Sequence, residues 1–335
     1  MVLSRGWAVK NWRLLLCTIL GILIIGEYLI YFIVAMSWNV PTKKSKHDLK
    51  VLFVSDPQIQ GFQFELSGIY GHITRWDVCH YLKKTFGYAV NQVEPDVVVL
   101  LGDLLDEGYV SSDEKFLQYK EWFEDIYTVP SSVKRIHLAG DNDIGGESEP
   151  IEANLLTRHE KYFGPTNEII KFNNWQFLKL STLSFLRYFR FTTADERRIF
   201  DNLNMFMTSS VTKLDENKHT LVLSHLPLGY WDPHFALKVL NNINPRVIFT
   251  GHDHKPKYRM YKVGSFSTEE HVVPTCSYRM GTIDMGFGVA MLGENGSFHY
   301  TVLKLPRRYF FLYFYIVACT FSLLYIILFR KKRTT

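Results

Sequence analysis

Residues 96–103 read DVVVLLGD, and this stretch decides how the sequence is expected to fold. Five consecutive apolar residues followed at once by Gly-Asp predict a strand that is buried on both faces. The same pattern, an apolar run that ends in Asp or His, recurs at residues 50–56, 135–141, 220–225 and 246–252. One Asp after a strand is a common turn residue, but five such endings are hard to explain by capping alone.

Segments of helical character lie between these runs, for example at residues 76–93 and 114–126. The alternation of strands and helices predicts an α/β fold. In open α/β sheets the ligand site lies outside the carboxyl ends of the strands. We therefore expect the residues at the five strand ends to form one site.

The strand ends carry acidic residues early in the chain and histidines late in it. They are Asp56-Pro57-Gln58, Gly102-Asp103, Gly140-Asp141-Asn142-Asp143, His225 and Gly251-His252-Asp253-His254. Mixed carboxylate and imidazole ligands suit Mn, Fe or Zn. A glycine beside a ligand lets the backbone approach closely, since it has no Cβ. The strand ends therefore predict a metal centre.

This series of motifs resembles the calcineurin-like metallophosphoesterases, whose pattern is Asp-x-His, Gly-Asp, Gly-Asn-His, a His, and Gly-His-x-His. The resemblance implies a four-layer β-sandwich flanked by helices and two divalent metal ions, with Mn²⁺ expected first and Fe or Zn as alternatives. It implies that Asp103 bridges both ions. The other implied ligands are Asp56, Gln58 and His254 at one ion, and Asp141, His225 and His252 at the other.

Further motifs resemble the membrane-bound branch of that family. They are Arg75-Trp76, residues 94–98, 102–108, 143–145 and 225–228, and the segment VPTCSYR at 273–279. That branch includes an enzyme that removes ethanolamine-phosphate from GPI anchors in early secretory membranes. The resemblance therefore implies a phosphodiesterase that remodels GPI anchors, with a GPI-linked or membrane-embedded phosphoester as substrate and cargo-sorting receptors as partners.

Two positions depart from the family pattern. Gln58 stands where the family has a His, and an amide oxygen is a neutral, weaker ligand than an imidazole. If Asp143 fixes the register, Asn142 stands where the family has its catalytic His, and it can donate a hydrogen bond but no proton. Losing a general acid costs on the order of 10²–10⁴ in rate. His72, His137 or a metal-held water could replace it, although both histidines read more simply as surface or core residues.

Three functions therefore remain open on the sequence alone. The first is an active phosphodiesterase, with Asn142 in the catalytic position. The second is a catalytically degenerate phosphoesterase that acts as a binding or trafficking factor, which the two departures favour. The third is a phosphomonoesterase that acts on proteins. The retained histidines at 225, 252 and 254 favour the enzyme.

The net charge of +5 is carried by the chain termini. The basic residues there are Arg5, Lys10, Arg13, Arg330, Lys331, Lys332 and Arg333. Because they exceed the whole excess charge, the middle of the chain is close to neutral. This distribution argues against nucleic acid as a partner and favours the orientation of a membrane protein.

Two apolar stretches, 14–38 and 309–329, are each long enough for a transmembrane helix. The first stretch could instead be a cleaved signal peptide, but it is too long for the apolar core of one. The second could instead be a buried core helix. Basic flanks stay in the cytosol. We therefore expect a cytosolic segment at 1–13, a linker at 39–48, a lumenal domain at 49–305 and a cytosolic tail at 330–335.

This topology predicts a multi-pass protein of the endoplasmic reticulum, the ER–Golgi intermediate compartment or the cis-Golgi, with both termini cytosolic. Glu27 lies inside the first apolar stretch. An acid at that depth is either functional or faces a partner helix. Cys79 and Cys276 lie in the lumenal part, where two free thiols are expected over a disulfide.

Overall fold

Two β-sheets lie at the centre of the larger of two structural units in the computed structural model. The structure describes residues 5–185, 193–230 and 233–331. One unit is formed by Met1–Trp38 together with Leu305–Thr335, and the other by Asn39–Lys304. Of the predicted cytosolic segments, residues 1–4 and 332–335 lie outside the described residues.

The strands are named in chain order. They are β1 Leu49–Val54, β2 Val97–Leu100, β3 Lys134–His137, β4 Glu168–Lys171, β5 Trp175–Leu180, β6 His219–Ser224, β7 Val247–Thr250, β8 Lys257–Val263, β9 Phe266–Val272, β10 Gly286–Leu292 and β11 Phe298–Lys304. One sheet has the order β11-β10-β1-β2-β3 and the other has the order β4-β5-β6-β7-β9-β8. All five predicted strands are present.

The helices flank these sheets or lie in the smaller unit. They are α1 Arg5–Ile24, α2 Ile30–Met36, α3 Gly68–Val93, α4 Asp113–Ile126, α5 Asp141–Ile144, α6 Ala153–Phe163, α7 Ala194–Lys213, α8 Pro233–Ile243 and α9 Arg308–Lys331. Both predicted helices of the larger unit, now α3 and α4, are confirmed, although α3 begins eight residues before the predicted start at residue 76.

Parallel pairing brings the predicted strand ends to common edges. In the first sheet, β1 pairs in parallel with β2 and β2 with β3. In the second sheet, β5 pairs in parallel with β6, β6 with β7, and β7 with β9. The antiparallel additions, β10 and β11 to one sheet and β4 and β8 to the other, were not predicted.

The core lies between the two sheets. It joins side chains such as Val51, Val99 and Leu221, and the rings of Phe53 and Phe249 stack across the two sheets with 4.2 Å between their centroids. The outer face of the second sheet packs on α7 and α8 through a further buried cluster. Phe86 of α3 contacts Phe287 of β10 on the outer face of the first sheet. The layers are therefore helix, sheet, sheet and helix, as expected.

The two cysteines of the larger unit do not pair. Cys79 and Cys276 are both free thiols, and Cys276 is fully buried with its Sγ 3.6 Å from the Tyr127 hydroxyl. Burial raises the pKa of Cys276 to about 12. This thiol is therefore protonated and unreactive at neutral pH.

The smaller unit contains the two predicted apolar stretches as helices. Helix α1 continues through a π-helical turn at Ile25–Leu29 into α2, and it begins at Arg5, inside the predicted cytosolic segment. Leu15–Met36 and Arg308–Tyr325 are long and apolar enough to cross a membrane by length and composition. Membrane crossing and the domain boundaries stay predictions.

Glu27 contacts the second of these helices. Its carboxylate accepts hydrogen bonds from the Arg308 guanidinium at 2.6 Å and from the Tyr315 hydroxyl at 2.9 Å. A Cβ at neighbouring Gly26 would overlap the Tyr315 ring, so the glycine permits this close approach. Of the two readings open for Glu27, a partner helix is the one that the contacts favour. Arg308 is itself buried, so each charge compensates the other.

Replacing Glu27 by Ala should destabilise the smaller unit, because Arg308 would keep a buried charge without its carboxylate. Breaking such a pair costs on the order of 3–5 kcal/mol. Thermal unfolding of the full chain in detergent should show an early transition for Glu27→Ala. Ile316→Ala, which truncates an exposed apolar side chain on α9, is the control. Equal unfolding temperatures for the two variants would contradict a stabilising role for the pair.

Candidate metal centre

The predicted site residues come together at the carboxyl ends of the central strands. Asp56, Asp103 and Asp141 follow β1, β2 and β3, while His225 and His252 follow β6 and β7. Since the strands of each sheet are parallel here, their ends meet at one edge. The larger unit thus places carboxylates from one sheet opposite imidazoles from the other.

Asp103 lies at the middle of this arrangement. It is buried, and each of its two carboxylate oxygens contacts Asn142 and one further residue. Oδ1 lies 3.5 Å from His225 Nε2, whereas Oδ2 accepts a hydrogen bond from Gln58 Nε2 at 2.9 Å. A carboxylate in this position has one oxygen available for each of two metal ions. That Asp103 bridges two ions stays a prediction.

On one side of Asp103 lie Asp141, His225 and His252. The ligand atoms of these three residues all lie within 4.8 Å of one another. His225 Nε2 is 3.1 Å from Asp141 Oδ1, and His252 Nδ1 is 3.2 Å from the same oxygen. One carboxylate oxygen and two imidazole nitrogens therefore lie close enough together to bind one metal ion, and their role as ligands stays a prediction.

On the other side lie Asp56, Gln58 and His254. The compact group on this side is Asp56 and Asp103 with His225, whose ligand atoms lie within 4.8 Å of one another, so it includes a histidine predicted for the first side and neither Gln58 nor His254. His254 Nε2 is 3.8 Å from Asp56 Oδ1 and 3.3 Å from Gln58 Nε2. The Gln58 amide points its nitrogen at Asp103, so ligation through its oxygen requires the amide to turn over. This side is the looser of the two.

The imidazoles on the tighter side have the nitrogen that a metal ion needs. His225 Nδ1 lies 2.8 Å from the Leu101 carbonyl, and donation to that oxygen leaves Nε2 with its lone pair toward the carboxylates. His252 Nδ1 is buried, and although it lies 3.2 Å from Asp141 Oδ1 it makes no hydrogen bond with that oxygen or with any other atom of the described residues. An unpaired buried nitrogen is costly unless a ligand satisfies it. The donor set therefore fits a divalent cation.

The pKa shifts of the buried acids and histidine also indicate that the centre suits a divalent cation. Burial, reinforced by the nearby Asp141, raises the pKa of Asp103 well above its usual value. Burial alone would lower the pKa of His225, but the Asp103 carboxylate and its acidic neighbours raise it. Crowded carboxylates in a buried place favour any added positive charge. A divalent ion supplies that charge and would hold all of these acids ionised.

The ligand loops adopt an unusual backbone conformation. The residues with left-handed φ are Asp56 at 49°, Gln58 at 43°, Asp103 at 50°, His252 at 68° and His254 at 60°. Such φ values cost non-glycine residues free energy and are concentrated at functional sites. Five of the seven predicted ligands thus share this strained backbone conformation.

Two glycines make room for Asp103 and its partners. A Cβ at Gly140 would overlap the Asp103 carboxylate, and a Cβ at Gly102, where φ is 98°, would lie 2.5 Å from His225 Nδ1. No other residue fits these positions without displacing a ligand. The role expected of the glycines beside the ligands is therefore borne out by the packing.

Several supporting residues were not predicted to have a role. Asp143, used only to fix the register, accepts hydrogen bonds from the backbone of Leu104, Leu105 and Gly140 and so ties two ligand loops together. Arg279 donates to the Gln58 carbonyl at 3.2 Å. These contacts join positions far apart in the sequence, so no local pattern signalled them.

Asn142 lies against Asp103 and is engaged with it. Its backbone N–H donates to Oδ1 at 3.0 Å and its side-chain Nδ2 donates to Oδ2 at 2.9 Å. The two histidines considered as replacement acids lie in other surroundings. His137 packs against the rings of Phe123 and Phe163, and burial lowers its pKa to about 3. His72 lines a groove between α3 and α4.

Asp103→Asn should greatly reduce metal binding, because the shared ligand loses its charge. Full-length protein loaded with Mn²⁺ and passed through a desalting column should retain fewer ions than the wild type by elemental analysis. Asp201→Asn, an exposed position on α7, is the matched control and should retain the wild-type content. Equal metal content in Asp103→Asn would contradict the assigned position of the ions.

Comparisons with known proteins agree with this site. The model of the calcineurin-like phosphoesterase family matches residues 49–256, more than half of the chain. A Metallophosphoesterase 1 homolog from Caenorhabditis elegans is 23% identical over 320 residues, which cover 86% of this chain and 83% of the relative. Metallophosphoesterase 1 from Ailuropoda melanoleuca is 29% identical over 155 residues, covering 44% of this chain and 38% of the relative.

A solved structure, a dimetal phosphatase from Danio rerio, aligns with 77% of this chain and 99% of its own at 14% identity and a TM-score of 0.46. Members of the matched family use a dimetal site, and the ligand groups around Asp103 are the candidates for it here. The chain therefore belongs to the calcineurin-like phosphoesterase family and is a phosphoric ester hydrolase.

Proposed function

We propose that the protein is a metal-dependent phosphodiesterase that acts at a membrane and removes ethanolamine-phosphate from GPI anchors. The observation that carries the hydrolytic part is the close grouping of ligand atoms around Asp103, in one group of Asp141, His225 and His252 and another of Asp56, Asp103 and His225. Two apolar helices and the relatives named Metallophosphoesterase 1 support a membrane-borne substrate. We also propose Mn²⁺ as the metal, with Fe or Zn as alternatives.

The same proposal includes the place of action. Both termini would be cytosolic and residues 49–305 lumenal, in the endoplasmic reticulum, the intermediate compartment or the cis-Golgi. Cargo-sorting receptors for GPI-anchored proteins are the proposed partners, and nucleic acid is not expected, since the excess charge lies at the termini.

When bound, two divalent ions supply positive charge to a phosphoryl group and lower the pKa of the attacking water. The residues of the chain hold that charge in place. Asp103, Asp141 and Asp56 provide the anionic donors, and the Leu101 carbonyl fixes the ring of His225. Little covalent chemistry is then required of the protein, whose main contributions are position and charge.

Asn142 determines how the leaving group departs. Its amide can donate a hydrogen bond to a phosphoryl oxygen, after leaving Asp103, but it carries no transferable proton. An alkoxide leaving group of high pKa needs a proton, whereas p-nitrophenolate does not. The proposed enzyme should therefore discriminate strongly between leaving groups.

A second candidate function is a phosphoesterase fold that binds its ligand without cleaving it. The observation that favours it is that the side-chain amides of Asn142 and Gln58 both donate hydrogen bonds to Asp103. Asn142 has no proton to transfer to a leaving group, and Gln58 has no imidazole to bind a metal ion. A binding factor would keep the metal ions and lose turnover. The activity of the Asp103→Asn variant separates these two functions.

Full-length protein in detergent with Mn²⁺ should hydrolyse bis(p-nitrophenyl) phosphate. Asp103→Asn should lower the rate at least about 100-fold. The neutral amide removes the negative charge and replaces one ligand oxygen by a nitrogen that cannot bind an ion. Asp201→Asn should retain the wild-type rate. No hydrolysis by the wild type under metal saturation would favour the binding function, and full activity in Asp103→Asn would contradict the assigned centre.

Asn142→His should restore a proton donor. We expect a gain of about 100-fold or more with alkyl leaving groups and a much smaller change with p-nitrophenol. The measurement is kcat against leaving-group pKa for a series of aryl and alkyl diesters, in which the histidine variant should show the shallower slope. Parallel slopes for the two proteins would show that Asn142 does not stand at the acid position.

A further inference from the structure

Six large apolar side chains are exposed within thirteen residues, at the start of α3 and in the loop before it. We call this set the apolar ridge; its members are between 55% and 72% exposed and are Phe64, Leu66, Ile69, Tyr70, Ile73 and Trp76. Single exposed apolar residues are normal on a protein surface, but contiguous patches mark contact sites.

The ridge has a regular helical geometry. Ile69, Ile73 and Trp76 are spaced i, i+4 and i+7, so they form one stripe along α3, with Tyr70 beside it. The opposite face of the same turns, at Gly71 and Arg75, is buried. A surface helix is expected to have its polar face outward. Here the outward face is apolar.

The loop at the base of the ridge is held in a fixed shape. The buried carboxylate of Glu107 accepts hydrogen bonds from the backbone N–H groups of Phe62, Gln63 and Phe64 at 2.9, 2.6 and 2.7 Å. The Arg75 guanidinium lies 4.2 Å from the Phe62 ring centroid and also donates to the Gly61 carbonyl. Because the loop is anchored, the exposure of the ridge is built into the fold.

The ridge is joined to the metal centre by a short chain of contacts. Glu65, which lies between two ridge residues, forms an ion pair with Arg279. Arg279 also donates to the carbonyl of the candidate ligand Gln58 and to Asp106. Two contacts, through Glu65 and Arg279, therefore connect the ridge loop to the candidate ligand Gln58.

The chemistry of the ridge fits the surface of a lipid bilayer. Trp and Tyr concentrate at the headgroup level of membranes, with Ile, Leu and Phe reaching deeper. Residues 66–76 contain no acidic side chain, so nothing in the stripe opposes lipid phosphates. A protein partner would have to be recruited, whereas a bilayer would be present at all times if the flanking helices span it.

The attachment of the larger unit is short. Strand β11 ends at Lys304 and helix α9 begins at Arg308, so three residues join the unit to an apolar helix. Three residues span at most about 10 Å. Such a connection keeps the local concentration of bilayer surface high and makes weak insertion effective.

We propose that the apolar ridge inserts into the headgroup region of the lipid bilayer and so holds the metal centre at the height of lipid-borne phosphoesters. The proposal rests on the proposed function for the membrane attachment of the chain. Insertion itself is independent of catalysis and can be measured without turnover.

The direct test places a fluorophore on the ridge. Full-length protein carrying Ile69→Cys, with Cys17, Cys79 and Cys319 replaced by Ser, is labelled with an environment-sensitive dye and reconstituted into phosphatidylcholine vesicles. The matched control is Met205→Cys, an equally exposed apolar position on α7 outside the ridge. The ridge dye should shift to the blue and be quenched by lipids with a nitroxide near the headgroup, while the control dye should do neither.

Each other outcome overturns the proposal. A blue shift without quenching means that protein, either a second copy or another segment of the chain, covers the ridge. Equal quenching of both dyes means that the protein touches the bilayer with no preferred surface. A ridge dye that shows the emission of an aqueous environment means that the ridge does not touch the bilayer.

A kinetic test separates this proposal from the proposed function. Ile69→Ser/Ile73→Ser should leave hydrolysis of bis(p-nitrophenyl) phosphate within about twofold of the wild type. The same variant should release ethanolamine-phosphate from GPI anchors in vesicles at least tenfold more slowly, through a raised KM, and Met205→Ser should change neither rate. Equal rates on vesicles would overturn the role of the ridge. If the wild type cleaves neither substrate, the proposed function fails, and dye quenching still decides insertion.

Discussion

The buried carboxylate of Asp103 is the constraint on which the rest of the structure depends. One of its oxygens faces the imidazole of His225 and the other faces Gln58. A buried carboxylate is stable only with compensating charge or hydrogen bonds. The two sheets provide these by meeting with their strand ends toward the same point. Folding the larger unit therefore assembles a cluster of carboxylates and imidazoles that is suited to divalent cations.

The backbone of the ligand loops is strained in this arrangement. Several predicted ligands have left-handed φ, and glycines are placed where any side chain would collide with the Asp103 carboxylate or the His225 ring. The parallel strands and the core between the sheets, including the stacked Phe53 and Phe249, hold the strained turns in place. The scaffold thus stabilises a conformation that the ligand loops would not adopt alone.

Local sequence pattern was sufficient for the strands that carry the site, because buried parallel strands read as continuous apolar runs and their ends carry the ligands. It was not sufficient for β8 and β9, which form a hairpin rich in polar side chains, because β8 has no buried residue and β9 buries Thr268 and Glu270. It also could not show that Asn142 and Gln58 donate to Asp103, or that Glu107 anchors the loop beneath the apolar ridge, since these contacts join distant parts of the chain. The sequence left two readings open for Glu27 and could not choose its pairing with a partner helix, for the same reason.

The central claim is that two divalent ions bind on opposite sides of Asp103. The most direct measurement is anomalous diffraction at the manganese edge from crystals of the Mn²⁺-loaded protein. The account predicts two peaks about 3.5–4 Å apart, one beside Asp141, His225 and His252 and the other beside Asp56, Gln58 and His254. A single peak, or peaks away from Asp103, would contradict it.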